Sequence, residues 1–172
     1  MKLLVSVVIL LACQLSIAQN PAQGDNEDSA RAGSAPVGSV TLVIGRAYVE
    51  SDSSGRERLS TGAFVREGDS VQTESNGHVH IRFRDNAVLS VRPSSELHIT
   101  TYRFDENKPE NSTIKLNLIQ GTARTVSGEG AKAARHRFRL NTPIAAIGVR
   151  GTDFVVSSTS SSLTALVNDG AI

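Results

Sequence analysis

The 172-residue chain has one cysteine, Cys13, one methionine, no tryptophan and only two tyrosines, Tyr48 and Tyr102. A single cysteine excludes an internal disulfide, and its place near the amino end leaves the remainder without a thiol nucleophile or thiolate metal ligand. Scarce aromatic rings count against a sugar-binding platform, which generally relies on them. Charge of one sign is lacking too, with 18 Lys and Arg against 17 Asp and Glu. A nucleic-acid binder or a polybasic membrane-surface protein needs an excess of cations, so both classes are set aside. No nucleophile elbow, phosphate loop or dinucleotide fingerprint occurs. Beyond the first 18 residues there is neither a long apolar run nor an apolar stripe at helical spacing. The expectation is a protein that is not an enzyme, holds no cofactor or metal, and keeps no transmembrane segment once its leader is cut.

What is present begins with that leader. Lys2, the apolar run Leu3 to Leu11 and the small-residue end Ser16-Ile17-Ala18 have the layout of a secretory signal peptide, with cleavage after Ala18. A competing reading takes Leu10-Leu11-Ala12-Cys13 as a lipoprotein box with Cys13 as the lipidated residue, although Leu11 is bulky for it. Cleavage at Ala18 removes Cys13 and Lys2 and leaves 17 basic against 17 acidic side chains. The expected location is periplasmic or secreted.

Residues 19–37, QNPAQGDNEDSARAGSAPV, have almost nothing to bury and cannot offset their ordering entropy, so they read as a disordered linker. Residues 38–172 read as one domain with a modest core.

Within that domain the dominant pattern is period two. Val40, Leu42 and Ile44 alternate with smaller or polar residues, as do Val79, Ile81 and Phe83; Leu89 and Val91; Leu97 and Ile99; Ile114, Leu116 and Leu118; and Phe138 and Leu140. Turn-forming clusters separate them at Asp52 to Gly55, Glu67 to Asp69, Ser75 to Gly77, Asp85-Asn86, Arg92 to Ser95, Gln120-Gly121 and Ser127 to Gly130. The fold class is all-β, with short antiparallel strands in a compact sandwich or in a solenoid-like pair of units. A weak repeat suggests the second form: Asp69 to Thr73 followed by Asn76 to Val79 is similar to Arg137 to Thr142 followed by Ile147 to Val149.

The least generic stretch is Asn141 to Phe154, NTPIAAIGVRGTDF. Pro143 fixes its own φ and holds Thr142 extended, so the strand arriving through Phe138 and Leu140 ends or bulges there. Gly148 and Gly151 permit a tight corner on either side of Val149 and Arg150. Arg150 and Asp153 are close enough in sequence to pair around it, and Thr152 and Asp153 can bond to nearby backbone. This reads as a structural corner ending at Phe154, with Asp69, Asp85 and Arg124 as polar supports elsewhere.

Arg135, Arg137 and Arg139 alternate with His136, Phe138 and Leu140, which on a strand puts three guanidiniums on one side. A solvated outer face is the ordinary meaning; as a contact surface the row suits a carboxylate- or phosphate-bearing partner. His78 and His80 share one strand face and could form half of a metal site with His98 or Asp85, although solvent-facing histidines are the commoner case. The serine-rich run Ser157 to Ser162 is a polar loop or worn edge rather than a nucleophile.

These residues resemble the FecR-type domain, the periplasmic module of iron-dicitrate sensor regulators. The likeness lies in Leu59 to Gly62, Glu67 to Thr73, Val79 to Asp85, Leu89 to Pro93 with Ser95 and Leu97, Gly121 to Arg124, and above all Asn141-Thr142-Pro143 with Gly148 to Phe154. It implies a compact β domain outside the cytoplasm that binds protein and catalyses nothing. The chain departs from the signalling members in having no cytoplasmic anti-sigma segment and no retained membrane helix, and so resembles the exported stand-alone members. An envelope protein is the expected partner; a binder of, or enzyme acting on, peptidoglycan or another envelope polysaccharide is the alternative. Asn168-Asp169-Gly170 reads as a hairpin turn with only Ala171 and Ile172 after it, so a further strand of a longer reading frame is expected.

Overall fold

A computed structural model describes residues 34–149 and 151–172. The leader with its cleavage point at Ala18, Cys13, residues 19–33 of the linker and Arg150 lie outside the described residues. Thirteen strands are present among the described residues: β1 (Gly38–Ile44), β2 (Ala47–Ser51), β3 (Gly55–Arg58), β4 (Phe64–Val65), β5 (Ser70–Thr73), β6 (His78–Phe83), β7 (Val88–Val91), β8 (Glu96–Arg103), β9 (Thr113–Val126), β10 (Phe138–Asn141), β11 (Ala146–Ile147), β12 (Asp153–Ser158) and β13 (Leu163–Asp169). A one-turn helix α1 (Glu129–Ala133) and 3-10 turns at Pro109–Asn111 and Arg135–Arg137 complete them. The all-β class holds.

The strands form one sheet that folds over on itself. One half runs β4-β1-β6-β7-β9-β12-β13 and the other β3-β2-β5-β8-β9-β10-β11, so β9 belongs to both. Its first part, Thr113 to Gln120, pairs with β8; its last, Ala123 to Val126, pairs with β7. All pairings are antiparallel except β9 with β10, where Phe138 to Asn141 run parallel to Ile114 to Asn117.

The fold line is where the sequence shows punctuation. Residues 45–46, 74–77, 92–95 and 121–122 are bends at which β1 continues into β2, β5 into β6, β7 into β8, and β9 into its own second part. These bends are bonded in a row. The Glu74 amide donates to the Arg46 carbonyl (3.0 Å), the Ser94 amide to the Glu74 carbonyl (3.0 Å), and the Thr122 amide to Ser95 Oγ (2.8 Å). Clusters that read as strand ends are therefore corners of longer strands. Gly121 sits at such a corner with φ +89°, a conformation side chains rarely adopt.

Folding over puts alternate residues of both halves into one core. Val79, Ile81 and Phe83 of β6, Leu89 and Val91 of β7, Leu97 and Ile99 of β8, and Ile114, Leu116 and Leu118 of β9 are all buried in it. Phe83 and Tyr102 stack across the halves with centroids 4.0 Å apart and planes 9° from parallel. Each fully buried aliphatic side chain contributes about 1.5–3 kcal/mol.

Two expectations are corrected. Val37, assigned to the linker, is buried in the core, with its amide donating to Val65 (2.9 Å) and its carbonyl accepting from Arg84 (3.0 Å), so the ordered chain begins before Gly38. Arg135 and Arg137 are not strand residues: the 3-10 turn closes through the Arg137 amide and the Ala134 carbonyl (2.8 Å), and β10 starts only at Phe138. The three guanidiniums therefore do not line one strand face. Arg-His-Arg-Phe-Arg-Leu alternates like a strand, but its first half serves to turn the chain out of α1.

Candidate functional site

Residues 141–149 and 151–154 lie where the two halves meet beyond β9. The Thr142 amide donates to Ala145 (2.8 Å) and the Ala145 amide to Thr142 Oγ1 (3.1 Å), closing a tight turn over Pro143 and Ile144 that joins β10 to β11. Gly148 lies under Arg139, whose Nη1 donates to the Phe138 carbonyl (2.7 Å). After Val149, which is buried, the chain enters β12 through Gly151 (φ +68°) and Thr152. The Thr152 amide donates to Ser127 Oγ (3.1 Å), the Ser127 amide to the Thr152 carbonyl (2.9 Å), and Thr152 Oγ1 to the Ala171 carbonyl (2.7 Å). Phe154 is fully buried.

Asp153 pairs with Arg124. Nε of Arg124 donates to Oδ1 (2.9 Å) and Nη2 to Oδ2 (2.7 Å), a two-pronged bond across the β9–β12 ladder on the outer face. That bond is the main cause holding the Asp153 carboxyl below its usual range, with Asn168 adding to it, while Arg124 is raised in turn. A carboxylate depressed in the folded state stabilises the fold above its unfolded pKa and loses that contribution as pH falls through the folded value. The expected result is that Asp153→Asn is less stable than the parent at neutral pH, with the gap closing as acid melting curves are taken below the ordinary carboxylate range.

The Gly151 corner is looser than its sequence suggests. A Cβ there meets only Lys132 Cγ at 3.7 Å, so substitution carries the left-handed backbone penalty and no overlap. Gly151→Val is expected to cost about 1–2 kcal/mol. A thermal melt indistinguishable from the parent's contradicts that.

Asp85 is the most deeply engaged carboxylate. It is fully buried; Oδ1 accepts from the Tyr102 hydroxyl (2.7 Å) and the Ala87 amide (3.1 Å), and Oδ2 from the Gly130 amide (3.2 Å). Its carbonyl accepts from the Glu129 amide (2.8 Å). Burial first, and Asp85 second, push the Tyr102 phenol well above its ordinary pKa. One side chain thus ties the β6–β7 turn, β8 and the start of α1 together. Gly128 passes so close that a Cβ would overlap the Asp85 carboxylate, which gives that glycine a packing reason. Asp69 is buried likewise: Oδ2 accepts from the Arg66 amide (2.8 Å), and its carbonyl accepts from the Ile99 amide (2.8 Å).

The basic side chains of 132–139 stay on the surface. Lys132, Arg135, Arg137 and Arg139 are exposed, and each arginine uses a donor on a backbone carbonyl: Arg135 on Lys132 (3.2 Å), Arg137 on Asn111 (3.0 Å) and Arg139 on Phe138. A guanidinium has five N–H donors, so several remain directed to solvent. An open hollow beside them is lined by Arg135, His136, Gly148, Val149, Ala171 and Ile172.

The histidines do not assemble as a closed metal site. His98 is on the other half and bonds to Ser70 (3.0 Å), and Asp85 is spent on Tyr102. Among the described residues no three His, Cys, Asp or Glu gather as a metal centre. His78 and His80 do meet, Nε2 to Nε2, at 2.8 Å. Burial chiefly, then His80 and Arg92, lower the His78 pKa. The serine-rich run forms the β12–β13 turn, closed by Thr159 Oγ1 with Ser162 Oγ (2.7 Å) and the Ser162 amide (3.0 Å).

The Asp85 knot was hidden from sequence reading, since Tyr102 and Gly130 lie 17 and 45 residues away from the carboxylate. The one signal available was glycine placed at both 128 and 130. No helix among the described residues is long and apolar enough to cross a membrane. No curated protein and no solved structure matches the chain. The profile of the FecR protein family matches residues 69–172, from the residue before β5 to the last residue. The matched segment is more than half of the chain and contains Asp85, Arg124, Asp153 and the 141–154 stretch, and by it the chain belongs to the FecR family.

Proposed function

We propose that the protein is exported to the bacterial cell envelope and works there as a binding or sensing module that catalyses no reaction and takes an envelope protein as its partner. Membership of a family associated with sensing supports this reading. The observation that carries it is how the polar residues are divided. Asp69, Asp85 and the Arg124–Asp153 pair are committed to closing turns and ladders, while Lys132, Arg135, Arg137 and Arg139 face outward with donors to spare. Such a surface takes a carboxylate-bearing protein through two-pronged guanidinium bonds, and a shared β-strand edge is not required.

The test compares the parent with a variant carrying Arg135→Ala, Arg137→Ala and Arg139→Ala. Surface changes of this kind shift stability by only about 0.5 kcal/mol or less each. The expected result is an unchanged melt together with loss of one defined protein that the parent retains from envelope extract. Equal retention by both proteins rules out this surface. Retention of the parent by purified sacculi, free of protein, replaces the reading with an envelope-glycan binder.

A further inference from the structure

His78 and His80 are alternate residues of β6, pointing away from the core while Val79 and Ile81 between and beside them are fully buried. Their Nε2 atoms are 2.8 Å apart and their rings are 4.8 Å apart between centroids, tilted by 45°. One ring donates and the other accepts, so the pair holds a single shared N–H between two nitrogens. Cross-strand neighbours are Leu42 and Ile44 on β1 and Ser90 on β7. Leu42 and Ile44 are 39% and 55% exposed, so two aliphatic side chains border the imidazoles at the surface.

Two imidazole nitrogens already in contact can be turned onto one ion. Imidazole suits zinc, nickel and copper, and copper(II) is the strongest binder in the divalent series, so a site with only two protein ligands and water in its other positions holds copper(II) best. We propose that His78 and His80 form a two-imidazole chelate for a divalent ion, copper(II) foremost, on the outer face of β6.

Binding needs little movement. The two lone-pair axes now face one another, and rotation about each χ2, a broad torsion, brings them to converge on a point outside the sheet. The donor ring moves its proton from Nε2 to Nδ1 through solvent, so both nitrogens offer a lone pair and no proton is lost from the neutral pair. Two coordination positions come from these rings and the others from water. Arg92, whose charge acts on His78, opposes the ion and sets an upper limit on affinity.

The experiment titrates copper(II) into the purified chain, made without a histidine tag, and follows it by calorimetry and electron paramagnetic resonance. The expected result is one ion per chain with nitrogen hyperfine structure, weakened about tenfold or more by His78→Asn and by His80→Asn alike. The paired change His98→Asn with His136→Asn leaves it intact, and Arg92→Gln strengthens it. Both rings lie on the outer face, so circular dichroism melts of the variants match the parent without metal. Copper(II) bound equally well by the His78→Asn and His80→Asn proteins, or lost in the His98→Asn/His136→Asn protein, overturns the assignment.

Discussion

Replacing Asp85 by alanine is expected to cost about 3–5 kcal/mol, a large share of the 5–15 kcal/mol that holds a domain of this size. The figure follows from what the carboxylate satisfies. Tyr102 Oη–H, the Ala87 amide and the Gly130 amide all donate to it in a site closed to solvent, and each buried donor left without an acceptor costs about 1–3 kcal/mol. Relaxation of the loop recovers part of the sum. The effect appears as a fall of about 10–20 °C in melting temperature. Tyr102→Phe removes one donor and keeps the ring stacked on Phe83, so it is expected to cost only about 1 kcal/mol. If Asp85→Ala melts within a few degrees of the parent, the carboxylate does not hold the knot together.

Gly121→Val is the second large effect, expected to exceed about 3 kcal/mol. The left-handed backbone at φ +89° contributes about 1–2 kcal/mol. The remainder comes from overlap, since a Cβ would run into the Ser95 side chain and stand 2.6 Å from both the Ser94 carbonyl oxygen and Ser95 Cα. Those atoms are backbone of the neighbouring corner and cannot step aside without breaking the Ser95 Oγ bond to Thr122. Gly62 provides the comparison: its φ is +91°, yet nothing lies within 4 Å of its Cβ position. Gly62→Ala should therefore lose only the backbone component, about 1 kcal/mol, in urea unfolding. Equal losses at the two positions remove the close-packed corner from the explanation.

The difference between those two glycines shows what a sequence can and cannot convey. Period two reports burial directly, and so the core residues of β6 to β9 were legible: each apolar residue at an even step lands inside. Punctuation was legible as interruption but not as kind. Ser75-Asn76-Gly77 and Gln120-Gly121 look like hairpin ends, yet the chain continues past both into the other half of the sheet. Whether a glycine ends a strand or bends it depends on which backbone passes beside it, and that backbone is distant in sequence. The Arg124–Asp153 pair lies beyond sequence reading for the same reason: the ladder of β9 with β12 delivers the guanidinium from 29 residues away in two-pronged geometry. The arginine row misleads for the opposite reason: its local alternation is that of a strand, but a 3-10 turn over Arg135–Arg137 overrides it.

The bends along the fold line also govern which length changes the domain can absorb. Side chains alternate inside and outside along each continuous strand, so adding one residue at Gly121 would turn Ala123 outward and Arg124 inward while leaving Ile114 to Leu118 untouched. Half of β9 would then present its wrong side to the core. Related chains should therefore differ in length at the excursion of residues 52–69 or at the loop of 104–112, and keep the spacing between the two parts of each bent strand constant.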